Sequence, residues 1–454
     1  MKRTTRVLVV LILLLGTFPS LAAASSNGSV GINILLKRPV NERILNDLSA
    51  YGQVRDVLFQ INAVLLYGKA SNLAAIRALP DVLAATKDVE ASAPPLDTVE
   101  AENFVNGIST WNLDAINVTD FGEGRTIGYT GEGVYVAVLD SGLVQNWRQF
   151  FPEERIAEEY AVAFGGGGAS GNHITQLPDK WEQDTNSHGT HVTSTIIGYD
   201  LSGTPVNGVA PLATIIPVKI LNQNGSGWNS VITYGILYVA DLKEGPLADH
   251  PLVINMSLSG PQPDPVLEAA INYAISKGVI VVAAASNRGE AGMGYPGAYA
   301  QVISAAAAGW EEQFTTPTWW FALDVPDPTD PNDFFLAEFS AREHGGQDLD
   351  VAAPGVFVVG PYQASHGHAS YFFLSGTSMA SPHVAGTAAL MAEKNPALTQ
   401  AQAENILEST ALPLSAGCSD VIDPNAGAVV EICWGADATG EGLIQSDAAV
   451  SATP

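Results

Sequence analysis

"VYVAVLDSG", residues 134 to 142, runs through six apolar positions and then breaks into Asp140, Ser141 and Gly142. A run this short and this uniformly apolar reads as a strand buried on both faces, and the acid and glycine as its exit. The same texture recurs in "TIIPVKIL", "PLVINMSLSG", "GVIVVAAASNRG", "QVISAAAAG" and "LDVAAPGV". Helical stretches such as "NSVITYGILYVADLK" and "PVLEAAINYAISKG" lie between several of them. Buried strands alternating with helices predict an α/β fold, a mainly parallel sheet covered by helices on both faces. Function in such sheets gathers beyond the carboxyl ends of the strands, where Asp140, Ser257 and Asn287 fall.

The chain has 454 residues, 46% hydrophobic and 15% charged, enough for two or three domains and a large core. Its formal net charge is −27, and the acidic excess lies after the first hundred residues. An acidic body of this kind argues against nucleic-acid binding and favours solubility or cation binding. "MKRTTR" followed by "VLVVLILLLGTF" and "LAAAS" reads as a signal peptide cleaved near Ala24, so residues 1–24 mark a secreted, extracellular protein. No other segment is apolar for long enough to span a membrane. The two cysteines, Cys418 and Cys433, favour one disulfide in an exported chain.

Residues 25–95 form a separate unit. "VGINILLK" reads as a strand, "NERILNDLSAYG" as an amphipathic helix ending at Gly52, and "VRDVLFQINAVLLYG" as two strands. "SNLAAIRALP", with Ser71 as its cap, and "VLAATKD" add a helix and a strand. The order β-α-β-β-α-β is the ferredoxin-like pattern. "ASAPPLDT" follows as a linker, its adjacent prolines excluding regular helix. Residues 96–454 are the main domain. Within it, 151–186, with "GGGG", reads as a surface excursion, and 310–338 as a proline-rich acidic insertion.

Ser378, in "SGTSMASPHV", heads a long helix of small and apolar residues. A helix start supplies free N–H groups, which suit an N-cap and equally suit a nucleophile. A serine nucleophile needs a base, and the base an acceptor that fixes its tautomer. His188 of "NSHGTHV" and Asp140 fill those roles in the chain order Asp, His, Ser, which is the subtilisin order.

The stretch from about Trp111 to Val450 resembles the subtilisin-type serine proteases. "VAVLDSG", "HGTHV", "NGVAP", "VINMSLSG", "VVAAASNRG", "GYPG", "LDVAAPG", "SGTSMASPHVAG" and "GEGLIQSDAAV" carry the likeness, in the family's order. The resemblance implies an endopeptidase acting through an acyl-enzyme. Asp140 then orients the base, His188 is the base, Ser378 the nucleophile, and Asn287 supplies the oxyanion hole together with the N–H of Ser378. It implies a substrate pocket between Ser257, Leu258, Ser259 and Gly260 on one side and Ala284, Ala285 and Ser286 on the other, floored by Gly294. With no charge there, apolar residues are expected before the cut bond, Phe, Leu and Met alike and Trp poorly. The small unit resembles the family's inhibitory propeptide. Protein or peptide substrates, the chain's own propeptide as inhibitor and a monomeric state are the partners implied.

Departures from the family pattern are Ser286 and Ser259, each where the family usually has glycine, and the loop "DLSGTPV", shortened where the family often binds calcium. Pro382 is expected near the first turn of its helix. No cofactor is expected for the chemistry. Structural calcium is expected, if anywhere, at Asp324, Asp327, Asp330 and Asp333 of the insertion. "GTSMA" lacks the last glycine of an α/β-hydrolase elbow. "HGTH" argues against a serine-carboxyl peptidase with a Glu base, and His191 against no carboxylate makes a poor metal pair with His188. A non-catalytic binding protein on this scaffold would need a broken triad, and none of the four catalytic positions is broken.

Overall fold

A computed structural model describes residues 28–101, 110–120, 124–314, 325–365, 368–424 and 427–454. The proposed signal peptide and Asp324 lie outside the described residues.

The amino-terminal unit is β1 (Ser29–Leu36), α1 (Glu42–Ser49), β2 (Gly52–Leu58), β3 (Ala63–Lys69), α2 (Leu73–Arg77) and β4 (Val82–Lys87). Its sheet is antiparallel with order β2-β3-β1-β4, the ferredoxin-like arrangement. Asn41 caps α1 by accepting the N–H of Ile44 at 3.1 Å. Two local expectations fail. Gly52 opens β2 instead of ending α1, and α2 has no side-chain cap, Ser71 lying in a 3₁₀ turn before it. Ile32, Ile34, Ile44, Leu48, Leu66 and Ile76 fill a core of its own.

The linker contains two strands, β5 (Glu90–Ser92) and β6 (Asp97–Glu100). The main domain follows with β7 (Tyr135–Asp140), β8 (Val162–Gly167), β9 (Asn172–Leu177), α3 (His188–Ile197), β10 (Thr214–Lys219), β11 (Ser226–Trp228) and α4 (Asn229–Glu244). It continues with β12 (Leu252–Met256), α5 (Pro265–Ser276), β13 (Val279–Ala284), β14 (Ile303–Trp310), β15 (Phe334–Leu336) and β16 (Val351–Pro354). Last come β17 (Val358–Ser365), β18 (His368–Ser375), α6 (Thr377–Lys394), α7 (Gln400–Thr410), β19 (Gly417–Asp423), β20 (Ala428–Trp434) and α8 (Ser446–Ala452).

The main sheet has nine strands in the order β9-β8-β10-β7-β12-β13-β14-β15, with β16 also on β14. All its pairs are parallel except β8–β9 and β14–β15 at its ends. Alternate residues of β7 face opposite layers. Val136 and Val138 pack in the core that includes Val192 of α3 and Val384 of α6, Ala137 and Leu139 in the core that includes Ile236 of α4 and Ile271 of α5. Burial on both faces is why the strands read as continuous apolar runs. From β7 the chain extends the sheet first toward β10 and then toward β12, so the crevice of such a sheet opens where β7 ends, at Asp140.

The excursion at 151–186 is not purely a surface loop, since its β8–β9 hairpin extends the sheet. Gly166, Gly167 and Gly168 have φ of 112°, 69° and 55°, which lets the chain turn where a Cβ would collide with His173 O, Ser230 Oγ or Trp228. The insertion likewise ends in a sheet strand, β15. Its described aspartates close their own turns. Asp327 accepts the N–H and hydroxyl of Thr329, and Asp330 accepts the N–H and amide of Asn332. Among the described residues, Asp327, Asp330 and Asp333 do not form a group whose carboxylate oxygens all lie within 4.8 Å of one another, and the fourth expected ligand, Asp324, lies outside the described residues. Cys418 and Cys433 face each other across the β19–β20 hairpin, with sulfurs 2.07 Å apart. No described helix is long and apolar enough to cross a membrane.

Candidate active site

Asp140 is the last residue of β7 and fully buried. The chain must turn at once behind it. Gly142, at φ 90°, does this where a Cβ would stand 2.2 Å from Trp181 O. The start of α3 packs onto that turn, and a Cβ on Gly189 would stand 2.5 Å from Gly142 O. "DSG" and "HGT" are thus two halves of one close contact, which carries His188 to Asp140. Nδ1 of His188 lies 2.9 and 3.0 Å from the two carboxylate oxygens. A carboxylate there holds the proton on Nδ1 and leaves the lone pair on Nε2. That Nε2 is buried and finds no hydrogen-bond partner among the described residues. The imidazole is therefore set up to take a proton, and nothing in the structure yet gives it one.

Ser378 is the second residue of α6 and 3% exposed. Its hydroxyl donates to Ser257 O at 3.0 Å and not to His188. Pro382 lies in the second turn of α6 rather than the first, and its missing N–H would have bonded to Ser378 O. Ser257 Oγ takes that freed carbonyl at 2.8 Å and fixes the end of β12 to the helix start. Asn287, just after β13, is oriented by Thr377, whose N–H and hydroxyl both donate to its Oδ1 at 2.8 Å. Its Nδ2 then points into the cleft. A Cβ on Gly376 would stand 3.1 Å from Asn287 Nδ2 and 3.7 Å from Ser378 N, so glycine leaves room where two donors converge. Such a pair stabilises negative charge on an oxygen placed between them. Thr377 escaped the sequence reading. Its position beside Ser378 was visible, but its bond to Asn287 joins residues 90 apart in sequence.

The remaining expected residues divide. Leu258, Ser259, Gly260, Ala284, Ser286 and Asn287 border a cavity of about 310 Å³ that lies between the cleft and Ser92, Ala93, Pro94 and Leu96 of the linker. Ala285 is buried in the core, and Gly294 lies against Ser259, where a Cβ on the glycine would meet Ser259 Cβ at 2.8 Å. His191 is buried against Val358 O, and burial together with nearby His188 pushes its pKa down to about 3, so it stays neutral.

The linker occupies the cleft. Ser92 and Ser259 exchange both backbone hydrogen bonds, at 3.0 and 2.9 Å, as an antiparallel pair. Ala93 donates to Gly225 O at 3.0 Å, β5 pairs with β11, and Leu96 donates to Ser375 O before β6 pairs with β18. Between these anchors Pro94 O accepts from Asn287 Nδ2 at 3.4 Å. The small unit is tied down beside it. Asp88 accepts from the N–H and hydroxyl of Ser230 at the start of α4 and from Gly168 N, and Asn33 donates to Asp264, the cap of α5.

A model of the subtilase family matches residues 131–441. Subtilisin Savinase of Lederbergia lenta is 39% identical over 287 residues, 63% of this chain and 86% of that protein. The alkaline protease of Shouchella clausii is 39% identical over the same length, 61% of that protein. Fervidolysin from Fervidobacterium pennivorans, a keratinolytic enzyme related to subtilisin, shares the fold with a TM-score of 0.65 at 24% identity, over 95% of this chain and 62% of its own. Sphericase aligns with a TM-score of 0.52 at 28% identity, over 74% of this chain and 97% of its own. With the family model covering more than half of its length, the chain belongs to the subtilase family and is a subtilisin-like serine peptidase.

Proposed function

We propose that the chain is a secreted serine endopeptidase made as a self-inhibited precursor, with Asp140, His188 and Ser378 as its triad and an acyl-enzyme as its intermediate. One observation carries this reading: a backbone carbonyl, that of Pro94, rests on Asn287 Nδ2 beside Ser378. A substrate carbonyl held there is placed for attack. Ser378 Oγ turns from Ser257 O toward His188 Nε2 and gives up its proton as it bonds to the carbonyl carbon. The oxyanion forms against Asn287 Nδ2 and Ser378 N–H. The proton passes from His188 to the leaving amine, and water repeats the sequence on the ester. Side chains and backbone carry every step.

Residues 25 to about 95 assist folding, hold the cleft closed and are later removed. The signal-like residues 1–24 and the Cys418–Cys433 pair support passage to an oxidising, extracellular space. The pocket residues carry no charge, which supports an apolar preference at P1, the substrate residue before the cut bond, because an unpaired charge there is costly to bury. Substrates are proteins or peptides, and one chain supplies every catalytic group.

The test is Ser378→Ala and His188→Ala. Each is expected to fold, to accumulate at unprocessed length and to lose about 10⁶-fold in kcat, the loss subtilisin itself suffers. Normal turnover by purified Ser378→Ala would remove the assignment.

A further inference from the structure

We propose that Ser259 and Ser286 act together as the specificity-determining pair, closing the P1 pocket to all but compact residues such as Ala, Ser, Gly and Pro. The inference rests on the protease reading and narrows its apolar preference. Ser259 Oγ donates to Ser286 Oγ at 3.1 Å, so a hydrogen bond joins the two walls between which a P1 side chain must pass. Ser286 holds this position at a φ of 110°, a conformation suited to glycine. Strain of that kind lasts only where the surroundings fix it. Here Thr377 Oγ1 takes the Ser286 N–H at 3.2 Å and the Ser286 carbonyl takes Ala341 N–H at 3.0 Å. Ser259 also stands beside Gly294, its Cβ 2.8 Å from where a Cβ on that glycine would lie, so its side chain takes up space next to the expected floor. A large ring could enter only by parting the two hydroxyls and leaving them unpaired in a desolvated slot. The residue the structure seats at this point is Pro94, which is compact.

The experiment measures kcat/KM on peptides varied only at P1 (Ala, Ser, Pro, Leu, Phe, Tyr) for the wild type, Ser259→Gly, Ser286→Gly and the double variant. Glycine relieves the strain at 286, so the variants keep the fold. The wild type is expected to favour Ala over Phe by about tenfold or more, and the double variant to shift that ratio toward Phe by about 100-fold. Ser378-dependent hydrolysis led by Phe, Leu or Tyr in the wild type overturns the inference, as does an unchanged ratio in the double variant. Absence of Ser378-dependent hydrolysis across the whole set overturns the protease reading itself.

The linker carries a second inference independently. Ser92 and Ser259 form a hydrogen-bonded antiparallel pair, so the next such pair along the strands is Pro94 with Ser257. Residue 94 is therefore at P1, and the bond facing Ser378 is Pro94–Pro95. We infer that this bond is not the one cut in maturation, and that the linker inhibits because the enzyme cannot clear it. Cleavage would require His188 to protonate the lone pair of Pro95 N as it leaves, and the proline ring carbon, bulkier than the amide hydrogen it replaces, crowds that approach. The test is intact mass and amino-terminal sequencing of the full chain as wild type, Pro95→Ser and each with Ser378→Ala. Pro95→Ser is expected to split after residue 94 when Ser378 is present, while no wild-type product begins at Pro95. A Ser378-dependent wild-type product beginning at Pro95 overturns the inference, as does an active Pro95→Ser chain left whole at 94–95.

Discussion

At the scale of single residues, the proposed mechanism rests on groups that stay unsatisfied until a substrate arrives. Nε2 of His188 has no partner among the described residues, and Asn287 holds a carbonyl at 3.4 Å, long for a hydrogen bond of this type. Asn287 is itself held firmly, by two 2.8 Å bonds from Thr377. A donor that is fixed but distant in the ground state gains most when the carbonyl oxygen becomes charged and moves toward it. Asn287→Ala is therefore expected to lower kcat by about 10² to 10³ and leave KM nearly unchanged. Steady-state kinetics on a short peptide check it. A loss confined to KM would mean that Asn287 binds substrate and not the transition state.

At the scale of elements, what was legible in the sequence follows from which contacts are local. β7, β12, β13 and β14 each bury every residue or nearly so, and their apolar runs announced them. Asp140, His188 and Ser378 were legible because each stands where a periodic element begins or ends. β15 and the β8–β9 hairpin were not, for their pairing depends on a sheet edge built from distant residues. The glycines that read as loop in "GGGG" are turn residues of a paired strand. "ASAPPLDT" read as a free linker because its partners, Gly225, Ser259 and Ser375, lie more than a hundred residues away and impose no local period. The contact between the two pocket walls was hidden for the same reason. Two serines in place of glycine were visible, but the bond between them spans 27 residues, and its effect on Gly294 exists only in three dimensions.

At the scale of the whole molecule, the net charge of −27 sets how stability answers to pH, and one cluster concentrates the effect. Asp350, 2% exposed, lies with Glu404 and Glu408 of α7 so that their oxygens are within 4.8 Å of one another. Ser304 N–H and hydroxyl satisfy Asp350 Oδ2 at 2.7 Å each, but among the described residues no donor reaches Oδ1. Burial raises the Asp350 pKa to about 8, against the Ser304 bonds. Burial and neighbouring Glu408 raise Glu404 to about 7. The folded chain thus binds protons that the unfolded chain releases near pH 4, and stability falls as pH rises from there to about 8. Asp350→Asn removes the buried charge, can keep Ser304 on its carbonyl oxygen and can turn its amide toward the glutamates. In a Ser378→Ala background, which prevents self-digestion, it is expected to leave Tm unchanged at pH 4 and raise it at pH 9. The gain at pH 9 is a few kcal/mol, each unit of pKa displacement corresponding to about 1.4 kcal/mol. Thermal unfolding with EDTA present, at several pH values, checks it. A Tm difference between the two proteins that is the same at pH 4 and pH 9 would show that Asp350 titrates alike in the folded and unfolded chains, and the acid cluster would then have no part in the pH response.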